Sequence, residues 1–294
     1  MKTGESQNAE ESRIPWHPAF FEAIQMELAE YRDALEFLFE HPLNTEPLRI
    51  DVLIIKKPKD LVINKNIAAI FRSVNIIEYK SPADYVSVDD FYKVYGYACL
   101  YASLNHIPVN DLSLSFVESR YPRDLLAHFR ELRAFTVEEK GPGIYTVEGD
   151  IIPLQVIESR RLPVKENIWL KELDNRLEAR ELGLISRELG RLGKAVQVRA
   201  YLDALFRANP EMVREALTMS DTALTLEKVL GEAGLIAKWE ARGEARGEAR
   251  GEAKGEARAK LEVAKNFITM GFPPEKVAAA TGFDIETIRS LENR

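Results

Sequence analysis

The stretch NIIEYKSP, residues 75–82, sets a carboxylate and an amine two residues apart in an otherwise apolar run. In a β-strand side chains alternate between faces, so Glu78 and Lys80 point to one side and Ile77 and Tyr79 to the other. An earlier apolar run, LRIDVLIIK (48–56), holds a second carboxylate, Asp51, on the face it shares with Arg49 and Leu53. If the two runs pair as neighbouring strands, two carboxylates and an amine converge. Two carboxylates make a hard, oxygen-rich site suited to Mg²⁺, which keeps several waters and also takes phosphate oxygens. Such an ion polarises a phosphodiester and stabilises the departing oxygen. Lys80, with its pKa tuned by burial and neighbours, would orient or deprotonate the attacking water. That is phosphodiester hydrolysis in minimal form. A lone Glu-x-Lys is extremely common and is more often a cross-strand salt bridge on a half-exposed sheet, and such pairs contribute little.

The surrounding pattern predicts a sheet to carry these residues. HPAFFEAIQMELAEYRDALEFLFEH (17–41) has helical periodicity, with Phe20, Ile24, Leu28, Tyr31 and Leu35 on one face. The two strand runs follow, with NIAAIFRS (67–73 and its preceding Asn66) as a short helix or strand extension between them. Ser87, with Asp90 three residues on, marks the start of the helix VDDFYKVYGYACLYASL. LSLSFVESRYP then alternates as a strand, RDLLAHFRELR is helical, FTVEEKGPGIYTV is a hairpin around Gly141–Gly143, and IIPLQVIES is a last strand. The expected fold class is therefore α/β (α+β), a mixed central β-sheet flanked by helices.

Residues 1–13 read as a disordered tail, 14–164 as the sheet domain, and 165–237 as a helical extension. Residues 238–258 carry the four-residue repeat EARGEARGEARGEAKGEAR. On a helix its i,i+4 neighbours are Glu–Glu and Arg–Arg, which repel, and each Gly costs about 1 kcal/mol relative to Ala. This segment is either a solvated linker or a helix that pairs with other copies. In 259–294, Ala278, Gly282 and Ile288 have helix-turn-helix spacing, with Val277, Phe283 and Leu291 as supporting core. The second helix holds Asp284, Glu286 and Glu292 against Arg289 and Arg294, which is poor chemistry for phosphate contact. An interaction or oligomerisation module fits that charge better than a DNA reader.

The bulk properties narrow the classes. Formal net charge is 40 − 47 = −7, so no general attraction to nucleic acid or an anionic membrane is expected, and any DNA site must be a local patch. Arg120, Arg123, Arg130 and Arg133 are candidates for one. The single cysteine, Cys99, excludes an intrachain disulfide and a cysteine-rich metal site, and fits a reducing, cytoplasmic setting. Neither a signal peptide nor a membrane span is visible. His17, His41, His106 and His128 lack metal-site spacing, and neither a nucleophile elbow nor a phosphate-binding loop is present.

The order helix, strand with Asp51, strand with Glu78-x-Lys80, helix, strand resembles the PD-(D/E)XK nuclease superfamily. More narrowly, WHPAFFEAIQ, PLRIDVLIIKK, NIIEYKSP and DDFYKVYGYACLY, with the Gly-Glu-Ala-Arg tail, resemble its bacterial recombination-promoting nuclease and putative transposase families. The resemblance implies a restriction-endonuclease-like core and a metal-dependent DNA endonuclease using Mg²⁺ or Mn²⁺. It makes Asp51 and Glu78 metal ligands and Lys80 the catalytic lysine. It also implies a third acidic ligand from the first helix, for which Glu27 borders the apolar stripe and Glu22 lies on the far side. The Gln-x-x-x-Tyr pair of some members corresponds here to Lys93 and Tyr97, and Tyr97 reads as packing. Expected partners are DNA and further copies of the chain through its C-terminal helices. The alternative is a non-catalytic nuclease-fold scaffold or DNA-binding protein that oligomerises through those helices.

Overall fold

A computed structural model describes residues 14–39, 52–192, 198–216 and 259–292, together with 231 and 234. The chain divides into two compact units, Met1–Ala233 and Gly234–Arg294.

The first unit is built on a seven-stranded mixed sheet. Its strands are β1 (Glu36–Phe39), β2 (Val52–Lys56), β3 (Val74–Tyr79), β4 (Leu112–Glu118), β5 (Thr136–Gly141), β6 (Ile144–Glu148) and β7 (Leu154–Glu158). Their order is β1-β2-β3-β4-β7-β6-β5. The central strands β3, β4 and β7 are parallel, and every other pairing is antiparallel. The parallel centre is buried along its length, because helices cover both faces.

Alternation along the strands sorts the two faces. Ile54, Ile76, Leu114, Phe116 and Val156 join the core beneath α2 (Val88–Leu104) and α3 (Arg123–Glu131), which contribute Phe91, Tyr97, Leu125 and Phe129. Glu78 has the same parity as Ile76 and lies level with Phe116, so it belongs to this face. Tyr79 has the other parity and stacks on Phe20 of α1 (Trp16–Glu27), with centroids 4.3 Å apart. On that face α1 packs against α4 (Val164–Lys171) and α6 (Arg199–Ala208). The remaining helices of this unit are α5 (Ala179–Leu192) and α7 (Pro210–Ala216). The helices after residue 164 thus complete the same compact unit as the sheet.

The helix expected over 17–41 is shorter. It ends at Glu27, a 3₁₀ segment spans Ala29–Ala34, and Glu36–Phe39 is the edge strand β1. Helical and strand periods coincide over so few apolar residues, and pairing decides between them. Phe39 lies 5.0 Å from the ring of Phe21, so β1 closes over the outer side of α1. The segment between the two strand runs is a short 3₁₀ helix, Asn66–Ala68.

Asn75 locks the central strands. Its side-chain amide donates to the carbonyls of Ile55 (3.0 Å) and Arg72 (2.9 Å). Its oxygen accepts from the Arg72 N–H (2.6 Å) and the Ser113 hydroxyl (2.7 Å). One fully buried side chain therefore ties β2, β3 and β4 together.

The second unit is described by itself. A helical run over 259–269, α8 (Pro274–Thr281) and α9 (Ile285–Glu292) enclose a small core of Ala264, Val277 and Ile288. Ala278, Phe283 and Leu291 pack around it. Gly282 ends α8 at φ 75°, a left-handed turn that favours glycine. The repeat 240–258 lies outside the described residues. No described helix is long and apolar enough to cross a membrane.

Asn75→Ala removes four hydrogen bonds, two of them fully buried, and should lower stability by about 3 kcal/mol. Urea denaturation should show a lower midpoint with an unchanged slope.

Candidate functional site

Glu78 stands one residue before the carboxyl end of β3, level with Val52 of β2 and Phe116 of β4. It is only 6% exposed. Its Oε1 lies 3.4 Å from Lys80 Nζ, and its Oε2 is buried without a hydrogen-bond partner. Burial pushes the carboxyl up to about 7, against the pull of the Lys80 ammonium. A carboxylate desolvated in this way, with an open oxygen, is costly for folding and is what a cation would relieve.

Lys80 is the first residue beyond the strand. Its backbone N–H donates to the Val117 carbonyl (2.9 Å), which fixes the chain direction against β4. Its ammonium donates to Asp90 Oδ1 at 2.8 Å. Asp90 also completes the cap of α2. Its Oδ2 accepts from the Ser87 N–H (3.0 Å) and hydroxyl (2.6 Å), while Ser87 Oγ accepts from the Asp90 N–H (3.0 Å). Burial disfavours the Lys80 ammonium, but Asp90 and Glu78 outweigh it and hold its pKa above the ordinary lysine value. Burial likewise disfavours the Asp90 carboxylate, yet Lys80 and Ser87 outweigh it and keep its pKa low. Lys80 is a fixed cation at neutral pH. Of the two roles expected of it, orienting is the one these ion pairs support.

The sheet brings Glu78 and Lys80 together as the period of two requires. Asp51 lies outside the described residues, as do Arg49 and Ile50, and the register runs against the expected convergence: Leu53, whose face the alternation assigns to Asp51, is opposite Ile77, on the face away from Glu78. Glu27 is engaged elsewhere, on the α1 face of the sheet rather than the face of Glu78. It is 3% exposed, and its Oε1 accepts the backbone N–H groups of Trp169 (2.8 Å) and Leu170 (3.0 Å). Its Oε2 accepts from Lys65 Nζ at 3.1 Å. Glu22 accepts the Tyr201 N–H at 2.7 Å, at the start of α6. Both α1 carboxylates thus join α1 to the helices that follow the sheet. Tyr97 is buried packing beside Tyr101. Lys93 is exposed and favours the ionised form of Glu78.

The basic cluster divides. Arg133 pairs with Asp150 (3.0 Å) and lies 4.8 Å over the Phe135 ring, so it is structural. Arg120 donates to the Pro82 carbonyl (3.3 Å), on the loop that leaves Lys80. Arg123 and Arg130 are exposed.

Two acidic residues near the site escaped the sequence reading. Asp90 was visible only as a cap, although its place three residues after Ser87 and ten after Lys80 is the signal. Glu118 is the last residue of β4, as Glu78 is the last but one of β3, a carboxylate at the end of an apolar run. It is 1% exposed, accepts the Val86 N–H, and leaves Oε1 without a partner. Burial pushes it up to about 8, with Glu158 of β7 adding to the rise. Among the described residues no group of three or more His, Cys, Asp or Glu side chains is placed to hold a metal ion. Glu78 Oε2 is the open acceptor beside Lys80.

Because its folded pKa lies above its unfolded one, Glu78 favours the folded state below about pH 4.5. That advantage is lost as pH rises to about 7. Glu78→Gln should therefore gain stability relative to the wild type between these pH values and keep a constant difference above them. Urea midpoints of both proteins across that range check this, and a pH-independent difference would contradict it. Comparison with protein-family models, with curated proteins and with solved structures finds no match to this chain.

Proposed function

We propose that the chain is a metal-dependent DNA endonuclease that hydrolyses phosphodiester bonds, in the manner of the PD-(D/E)XK superfamily and its recombination-promoting nucleases. The observation that carries this reading is the end of β3. Glu78 is desolvated with an open oxygen, and a fixed lysine cation stands beside it at a strand end. A sheet held together by salt bridges alone has no use for an unpaired buried carboxylate oxygen, which costs stability.

The roles follow from the chemistry of each group. Glu78, with Asp51, would hold Mg²⁺ or Mn²⁺, which supplies positive charge to a phosphodiester oxygen. Lys80 would orient the attacking water and balance the negative charge that grows on the phosphate. Asp90, with Ser87, keeps the ammonium at the strand end and is a positioning residue. Glu27, bonded as it is to Trp169, Leu170 and Lys65, is better suited to holding α1 in place than to holding a metal.

A second reading, a scaffold that oligomerises through the C-terminal helices, draws on α8 and α9. There Arg289 faces Glu275 at 3.7 Å, so a cation that could meet phosphate already has a partner.

The nuclease reading predicts that the pure full-length protein nicks supercoiled plasmid with Mg²⁺ or Mn²⁺ and is silent with EDTA. Glu78→Gln, Lys80→Met and Asp51→Ala should each slow nicking by about 100-fold or more. Equal cleavage by wild type and all three variants would overturn the assignment. An inert wild type that loses its oligomeric state on deletion of 238–294 would favour the scaffold.

A further inference from the structure

A cavity of about 350 Å³ opens at the amino ends of β3 and β4, lined there by Ser73 and Asp111, which immediately precede the two strands. Val74 and Glu78 are four residues apart on β3, roughly 13 Å along the strand, so this cavity is separate from the site at Glu78 and Lys80. Small-ligand sites are commonly of this size, largely apolar with a few fixed polar groups. Here buried Ile63, Ala68 and Phe71 form the apolar lining, and exposed Val62 extends it outward. The walls are held in place from within the fold. The Lys57 N–H donates to the Ser73 carbonyl at 2.9 Å. The Lys57 ammonium gathers the next loop by donating to the carbonyls of Pro58 (3.1 Å), Lys59 (3.3 Å) and Leu61 (2.9 Å). Asn75 holds both the N–H and the carbonyl of Arg72. The cavity is therefore formed before any ligand arrives.

The charges on the lining do not cancel. Lys59 pairs with Asp111 at 2.7 Å, and that pair is neutral. Lys57 spends its three donors on carbonyls, which leaves its positive charge without a carboxylate. Arg72 lines the cavity, is exposed, and has no ion pair among the described residues. Asp60, in the same loop, is not part of the lining. Two positive charges thus stand over an apolar surface, in a chain whose net charge is −7. A guanidinium meets phosphate oxygens with paired N–H groups, a match that a point charge lacks. A carboxylate would balance one of the two charges, whereas a phosphate monoester, at about −1.5 to −2 near pH 7, balances both. We propose that this cavity binds an organic phosphate monoester, with its phosphate on Arg72 in the field of Lys57 and its apolar body against Ile63 and Phe71. The site requires neither the metal nor the cleavage read at Glu78.

The test is isothermal titration calorimetry of the full-length protein in EDTA with phenyl phosphate, inorganic phosphate and phenol. The wild type should bind phenyl phosphate, bind inorganic phosphate at least about tenfold more weakly, and leave phenol unbound. Arg72→Gln should weaken phenyl phosphate by about tenfold or more. Val62→Asp should do the same, by setting a negative charge at the rim of the cavity. Val62 is 73% exposed and Arg72 is exposed, so both variants should keep the urea midpoint of the wild type. Added salt should weaken phenyl phosphate binding in the wild type. No binding of phenyl phosphate by the wild type, equal binding of phenyl phosphate and phenol, or an Arg72→Gln protein that binds like wild type would overturn the site. Inorganic phosphate bound as tightly as phenyl phosphate would overturn the apolar half of it. Binding as predicted in a protein that does not nick DNA leaves this site standing and removes the nuclease reading; nicking without binding does the reverse.

Discussion

The end of β3 depends on one ionic contact, the Lys80 ammonium against Asp90. Asp90 serves two structures at once. It closes the capping box of α2 with Ser87, and it receives the lysine that ends the strand. A helix N-terminus favours negative charge, so the cap keeps Asp90 ionised and the lysine gains a firm partner. The loop between strand and helix is thereby pinned at both ends. The Glu78 carboxyl, beneath this contact, is left with a desolvated oxygen and a fixed cation nearby. Removing Asp90 would free the lysine and leave Glu78 as its main partner.

Buried carboxylates serve different ends around the sheet. On the α1 face, Glu22 and Glu27 accept backbone N–H groups from α6 and α4, while Glu172, just after α4, leaves Oε1 without a partner. On the α2 face, Glu78 and Glu118 each keep an oxygen with no partner. Buried polar groups are almost always paired in folded proteins, so the unpaired ones mark where stability has been exchanged for something else. The parallel centre of the sheet brings the carboxyl ends of β3, β4 and β7 side by side, and in open α/β sheets ligands gather at such ends.

Much of this was legible in the sequence. The alternation in NIIEYKSP placed Glu78 and Lys80 on one face, and the Ser87 cap marked the start of α2. Leu112, Leu114 and Phe116 marked β4, and the Gly141–Gly143 turn gave the hairpin. Less legible was anything set by contacts distant in sequence. Glu36–Phe39 continued the apolar pattern of α1, and only pairing with β2 makes it a strand. Glu27 bordered the apolar stripe, as a ligand would, but its partners are backbone groups about 140 residues away, which no local period reveals. Asp90 looked like a cap alone, because the lysine it holds reaches it only when strand and helix fold together.

The central claim is that the open oxygen of Glu78 is there for a divalent cation. A crystal of the full-length protein soaked in Mn²⁺ and measured for anomalous scattering tests it most directly. The account predicts a Mn²⁺ peak against the Glu78 carboxylate, close to Lys80 and shared with Asp51. A well-ordered Glu78 without anomalous density, under conditions that occupy other Mn²⁺ sites in the same crystal, would contradict it.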